Sequence, residues 1–279
     1  MKELFDKSSY QISKAVTNTY STSFSYAVMM LDKSIRRHIY AIYGFVRYAD
    51  EIVDTFHDYP KNEMFYEFKE EFYKALNRGI SMNPILNSFI LTVKKYDIDL
   101  DLIEAFLDSM ERDLYKNNYT TYEEFKDYIY GSADVVGLMC LQVFLGGDKK
   151  KYNELKPYAE KLGSAFQKVN FLRDLKDDVN KLNRSYFPNV DFANITPEQK
   201  KKIIQEIKDD FTIAYEGIRR LPKEALFGVY AAYLLYQRLL LKIERSNTQD
   251  LLKKRFSVNN IYKIWLIIKS YFSVKFNLI

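Results

Sequence analysis

The sequence predicts an all-α protein, and three observations carry that expectation. Apolar residues recur at three- and four-residue spacing through most of the chain, the period of helices with one buried face. Only nine Gly and six Pro occur in 279 residues, too few for a turn-rich β fold, and most of the Pro fall between periodic segments. Two clusters, Asp50-Glu51-Ile52-Val53-Asp54 and Asn170 through Asp178, place a polar side chain every fourth residue inside an apolar pattern, which a helix turns into one polar stripe.

About nine to eleven helices are expected. The segment after the Ser21 and Ser23 pair starts one on which Phe24 and Val28, four residues apart, share a face. Asp32 is a natural N-cap for a helix from Lys33 to Phe56, closed by Pro60. It carries the first acidic cluster. Segments at Glu63–Asn77, Pro84–Lys95 and Leu100–Lys116 are amphipathic, with Tyr and Phe supplying the apolar face, and read as scaffold. Thr121 to Leu145 reads as one helix, ended by Gly146-Gly147-Asp148. The second acidic cluster lies on a helix from Pro157 to Leu182. Beyond Pro188 a loop leads to Thr196-Pro197-Glu198, whose capping signal opens a helix toward Arg219. Helices at Lys223–Glu244 and Val258–Phe276 follow.

Composition narrows the function classes. With 47% hydrophobic content the chain can bury a large core, and nothing resembles a linker, so residues 1–279 read as a single domain. The lone Cys140, in an apolar run, excludes an intramolecular disulfide framework and fits a reducing cytoplasm as an inert thiol. A net charge of +5 is mild and the cations are dispersed among acids, which argues against nucleic acid. Charges in Met1–Tyr10 argue against export, and the longest apolar stretches are too short or too interrupted by Lys to span a bilayer. The final segment, Ile261 to Ile279, mixes Trp265, Tyr271 and Phe272 with Lys263, Lys269 and Lys275. It reads either as an ordinary amphipathic helix, the commoner use of such a pattern, or as a peripheral contact with the inner face of the membrane.

Like charges stacked on a helix face repel. Two such faces opposed in a core require cations, and carboxylate oxygens favour hard ions such as Mg2+. His38 and His57 are read as a helix-face and a loop residue, since Mg2+ prefers oxygen. An Asp-x-x-x-Asp pair alone is usually a solvated face; two acidic clusters, with Arg173 and Tyr186-Phe187-Pro188, are not explained that way.

With these flanks the chain resembles the squalene and phytoene synthase family of head-to-head prenyl transferases. Tyr20-Ser21-Thr22-Ser23-Phe24-Ser25 with Tyr43, Arg47 and Asp50 to Asp54 is similar to the family's Ser-Phe segment and first Asp-rich motif. Gln167 to Asp174, Asp178 and Arg184-Ser185-Tyr186-Phe187-Pro188 are similar to the second motif and its aromatic-proline tail. Tyr128-Ile129-Tyr130-Gly131-Ser132-Ala133 through Gly137 resembles the Tyr-Gly helix lining the family's cavity. The chain departs at Tyr20, where the family often has His.

The resemblance implies an isoprenoid synthase fold around a central tunnel. Metal ligands would be Asp50, Asp54, Asn170, Asp174 and Asp178, holding Mg2+, with Mn2+ as a substitute. Diphosphate would be bound by Arg47, Arg173 and Arg255, whose guanidinium forks can hold two oxygens. Ser21 and Ser23 offer hydroxyls near a helix start, and Gln167, one turn before Asn170, faces the same cleft. Phe24, Tyr43, Tyr128, Tyr186 and Tyr236 would line the substrate space, where aromatic faces stabilise cations without quenching them.

The implied reaction joins two geranylgeranyl diphosphates through a cyclopropylcarbinyl intermediate, prephytoene diphosphate, to phytoene, without NADPH. Ser132-Ala133-Asp134-Val135-Val136-Gly137 is more similar to bacterial phytoene synthases than to squalene synthases, and no Gly-rich dinucleotide fingerprint is present. Two alternatives stay open: a squalene or dehydrosqualene synthase using farnesyl diphosphate, and a non-catalytic helical assembly or membrane-tethering subunit.

Overall fold

Helix caps written into the sequence fix most of the chain's punctuation. Asp32 accepts from the Ser34 amide, Asn83 from Ile85 and Leu86, and Asn259 from Ile261, while Thr121 with Glu124 and Thr196 with Gln199 form complete capping boxes. In the computed structural model these caps delimit α1 (Lys2–Tyr20), α2 (Thr22–Met29), α3 (Lys33–Thr55), α4 (Lys61–Arg78), α5 (Pro84–Tyr96), α6 (Leu100–Asp113) and α7 (Tyr122–Ile129). There follow α8 (Val135–Leu145), α9 (Lys149–Lys181), α10 (Pro197–Ile218), α11 (Lys223–Glu244), α12 (Asp250–Lys253) and α13 (Asn260–Lys275). The structure describes residues 1–279 apart from Asn117, 182–185, Ala193 and Asn277, and apart from the side chains of Asp177, Asp178, Asn180 and Lys181. No strand occurs among the described residues.

Three expectations about elements are corrected. The helix expected over Thr121–Leu145 is broken by a π-helical turn at Tyr130–Asp134. Gly131 sits there so close to α6 that a Cβ would lie 1.9 Å from Ser109 Oγ and 2.7 Å from the Ala105 carbonyl oxygen. The helix expected to open at Pro157 begins eight residues earlier, at Lys149, with Pro157 inside it. Pro157 has no N–H to offer the Asn153 carbonyl, and both residues are exposed, where water can replace the missing bond. The nine to eleven expected helices become thirteen α-helical segments among the described residues.

Burial divides between two clusters. One is built from α3, α4, α5, α6 and α8 around Phe45, whose ring stacks on Phe89 at 4.0 Å. The other joins α7, α9, α10 and α11 and includes Phe125, Phe171 and Phe211. A buried ionic knot also ties α9 to α10: Lys168 Nζ donates to Asp210 at 2.7 Å and to Glu206, and Lys161 pairs with the same Asp210. On the other side, α1 docks through polar contacts, with Ser13 and Ser88 hydroxyls 2.7 Å apart and Asn87 donating to Asp6 and Ser9. His38 is buried in this polar layer, its Nδ1 2.9 Å from Thr92 Oγ1, and burial together with Lys95 and Arg37 lowers its pKa to about 3. It is a core residue.

Candidate active site

A cavity of about 280 Å³ lies between the two clusters, walled by α2, α3, α8, α9, α10, α11 and the π turn. On α3 the wall is Ile39, Ile42, Tyr43 and Val46; on α9 it runs from Leu155 through Leu162, Gly163 and Phe166 to Gln167 and Asn170. Both helices are apolar along the early part of this wall and polar at its end. Arg47 lies one turn beyond Tyr43, Asp50 about a turn further, and Asp174 one turn beyond Asn170. The two acidic clusters therefore meet at one mouth. The Tyr43 hydroxyl feels both sides: burial pushes its pKa up to about 12, with Arg47 and Asp50 of its own helix and Tyr236 and Arg173 across the mouth also acting on it.

On the α3 side, Arg47 organises the acids. Its Nη1 is 2.8 Å from Asp50 Oδ2, its Nε donates to Glu51 Oε2 at 3.0 Å, and its guanidinium lies 4.4 Å from the centre of the Tyr20 ring. Burial disfavours the guanidinium charge, but Asp50 and Glu51 outweigh it and raise its pKa. Asp50 itself is pushed up to about 8, by burial first and then by Asp54, with Asp113 and Glu51 adding to the repulsion and Arg47 opposing it. Asp113, at the end of α6, is a site residue that sequence reading missed. It is buried and accepts from Tyr119 at 3.3 Å and from Tyr128 at 2.8 Å. The available signal was its position on the buried stripe of α6, one turn after Ser109.

On the α9 side, Asp174 is clasped by two cations. Arg173 Nε donates to both of its oxygens at 3.0 Å, and Arg255 Nε, from the loop between α12 and α13, reaches Oδ1 at 2.6 Å. Burial alone would raise the Asp174 carboxyl, yet Arg173 and Arg255 hold it below the usual carboxylate range. Tyr236 donates to Asn170 Oδ1 at 3.1 Å and stacks on Phe166 at 4.0 Å; Gln167 Nε2 reaches Ser132 Oγ at 3.4 Å. Opposite, Phe24 and Tyr43 stack at 4.8 Å on the cavity wall.

Ser21 caps α2, its hydroxyl accepting from the Phe24 amide, and Ser23 sits in the first turn; Tyr20, next to Ser21, is the ring against Arg47. Tyr128 and Tyr186, expected on the cavity wall, stack away from it in a column with Tyr119 and Phe171, the Phe171–Tyr186 rings 3.9 Å apart. The π turn, set by the approach of Gly131 to α6, lets Ser132, Ala133 and Val136 face the cavity while Tyr128 turns to Asp113. The Asp178 side chain, Arg184 and Ser185 lie outside the described residues.

The donors suit a hard cation. Asp50, Asp54, Asn170 and Asp174 offer only oxygen, and Asp50 stands where burial and three neighbouring carboxylates disfavour its charge. No group of three or more His, Cys, Asp or Glu converges on a single point among the described residues, and Asp174 is held by arginines. The mouth thus pairs carboxylates, whose oxygens suit a hard cation, with guanidinium groups, which suit a polyanion.

Similarity to known proteins agrees with this geometry. The family model for squalene/phytoene synthase matches residues 17–261. The phytoene synthase of Arthrospira platensis is 28% identical over 88% of this chain and 87% of its own. The 15-cis-phytoene synthase of Synechococcus elongatus is 26% identical over the same shares. Among solved structures, a dehydrosqualene synthase crystallised with a ligand superposes with a TM-score of 0.80 at 18% identity, covering 97% of this chain and 98% of its own. A squalene synthase from Alicyclobacillus acidocaldarius gives 0.74 at 20% identity, with 86% and 94% covered. The fold is that of the isoprenoid synthases, and the chain belongs to the squalene/phytoene synthase family.

Proposed function

We propose that this prenyl transferase is a phytoene synthase that condenses two geranylgeranyl diphosphates head to head. The observation that carries this reading is the cavity itself: an apolar tunnel bounded by aromatic rings, closing at one end on two acidic helix faces interleaved with Arg47, Arg173 and Arg255. A prenyl diphosphate has that same division between a long apolar tail and a charged head. The curated relatives named phytoene synthase support the twenty-carbon substrate.

Each described residue has a task in this reading. Arg47, Arg173 and Arg255 bind diphosphate oxygens, and Ser21 and Ser23 present hydroxyls from the start of α2. Asp50, Asp54, Asn170 and Asp174, together with Asp178, would hold Mg2+, which would supply positive charge to the departing diphosphate. The walls from Val28 and Val46 to Leu162 hold the tails and exclude water that would trap an allylic cation. Phe24 and Tyr43 on one side, Phe166 and Tyr236 on the other, present ring faces to the developing positive charge. The C–O bond of the first substrate breaks and one diphosphate leaves; the allylic cation is attacked by the double bond of the second substrate, and loss of a proton as the three-membered ring closes gives the cyclopropylcarbinyl diphosphate. Its ionisation, rearrangement and loss of a proton give phytoene, with no reductant consumed.

The test is stoichiometric. Purified protein given geranylgeranyl diphosphate and Mg2+ is expected to release two diphosphates per hydrocarbon formed, and EDTA should stop both. One diphosphate per product, or an alcohol as the main product, would contradict a head-to-head condensation.

A further inference from the structure

Helix α13 is inside out. The side it turns toward the protein buries Lys263 and Ser270 along with Leu266, and Lys263 Nζ donates to Thr22 Oγ1 of α2 at 3.0 Å. The side it turns to solvent carries Ile261, Ile264, Trp265, Ile268, Phe272 and Phe276, each between 49% and 79% exposed. Their spacing places them on one continuous stripe along the helix. Isolated exposed apolar residues need no explanation, but a stripe this long does.

Charge says what covers it. From Ser257 to Ile279 there is no Asp or Glu, while Lys269 and Lys275 flank the stripe. At the start of α13 the stripe adjoins a second cavity, of about 440 Å³, lined by Arg238, Lys242, Arg245 and Lys254. Its one acidic residue, Asp250, is already paired with Lys254 at 2.9 Å. Tyr262 joins the two features, since it belongs to the first turn of α13 and carries the Arg238 guanidinium 4.3 Å from its ring centre. A second copy of the chain would set these cations against themselves. A bilayer bearing anionic lipid would not.

We propose that this face docks on an anionic membrane surface, with the α13 stripe sunk into the headgroup–acyl boundary and the basic cavity receiving phosphate-bearing headgroups. The contact is peripheral: sixteen helical residues rise about 24 Å, short of the roughly 30 Å hydrocarbon core. The commoner reading of this segment, an ordinary amphipathic helix, would put the apolar residues inward, and they face out.

Trp265 is the only tryptophan of the chain and lies on the stripe, so its fluorescence reports the contact without a label. Adding vesicles of phosphatidylcholine with a minority of phosphatidylglycerol to the full chain should shift its emission to the blue, with quenching by lipids brominated high on the acyl chain. The triple variant Ile264→Ser, Ile268→Ser, Phe272→Ser should keep its helical circular dichroism and lose vesicle affinity by roughly a hundredfold or more. Arg245→Gln with Lys269→Gln should weaken binding to the anionic vesicles by about fivefold per cation removed, with little change on neutral ones. No shift with vesicles, undiminished binding by the folded triple variant, or a shift driven by protein concentration alone would overturn the proposal. The readout needs no substrate, so its failure leaves the proposed reaction untouched.

Discussion

Replacing Asp50 with Asn removes a charge from a place where Asp54, Asp113 and Glu51 already repel it. The Asp50 carboxyl is raised from 3.8 to about 8 in the fold, by burial first. A folded-state pKa above the unfolded one means that the folded protein favours the protonated form. Relative stability is therefore full below about pH 4 and is lost as pH rises toward 8. The whole shift would correspond to about 6 kcal/mol, but 33% of the side chain is exposed toward the mouth. Solvent screening reduces the effect to about 1 to 2 kcal/mol at pH 8. Asn never ionises and can still accept from Arg47, so Asp50→Asn should melt higher in EDTA at pH 8, by about 2 to 6 °C for a chain of this size. The gain should vanish near pH 5. Turnover should be abolished, and the stabilisation that Mg2+ plus an unreactive diphosphate analogue gives the natural protein should shrink. Thermal denaturation at both pH values, beside product formation, measures all of this. A folded variant that melts no higher at pH 8 would show that Asp50 carries no repulsion in the fold, and one that turns over normally at saturating Mg2+ would remove Asp50 from the metal site.

Arg47→Lys keeps the charge but cannot hold Asp50, Glu51 and the Tyr20 ring at once, so kcat/KM should drop by about tenfold or more; unchanged kinetics would reduce Arg47 to general electrostatics. Val28 is buried on the cavity wall one turn from Phe24, and Val28→Phe adds bulk against a confined apolar chain at about 1 to 3 kcal/mol. The ratio of geranylgeranyl to farnesyl diphosphate use should then fall by roughly tenfold, which substrate competition reads directly. His38 is lowered to about 3 by burial with Lys95 and Arg37, so between pH 6.5 and 3 the unfolded chain takes up a proton that the fold refuses. Stability should fall by up to about 1.4 kcal/mol per pH unit below 6.5, and His38→Gln should flatten that slope in denaturant melts.

The helical class and the two acidic faces were legible because both are periodic. Caps such as Asp32 and Thr196 were legible because their chemistry is local. What escaped depends on contacts between distant segments. The length of α1 was hidden because its buried face is Ser9, Ser13, Val16 and Thr17, a polar stripe that pairs with α5 rather than an apolar one. The π turn follows from the approach of Gly131 to Ser109, and only the fold brings those residues together. The placement of Tyr128 and Tyr186 in a stacked column, and of Asp113 beneath them, has the same origin. Arg255, eighty-one residues from Asp174 in sequence, was found from the family pattern and stands 2.6 Å from it.

The most direct test of the central claim is the identity of the hydrocarbon. Purified protein is incubated with geranylgeranyl or farnesyl diphosphate and Mg2+, with and without NADPH, and the extracted product is identified by mass and absorption. A forty-carbon phytoene is expected from geranylgeranyl diphosphate, formed equally well without NADPH and in preference to any thirty-carbon product. A thirty-carbon hydrocarbon from farnesyl diphosphate as the preferred product, or no hydrocarbon from either substrate, would contradict that claim.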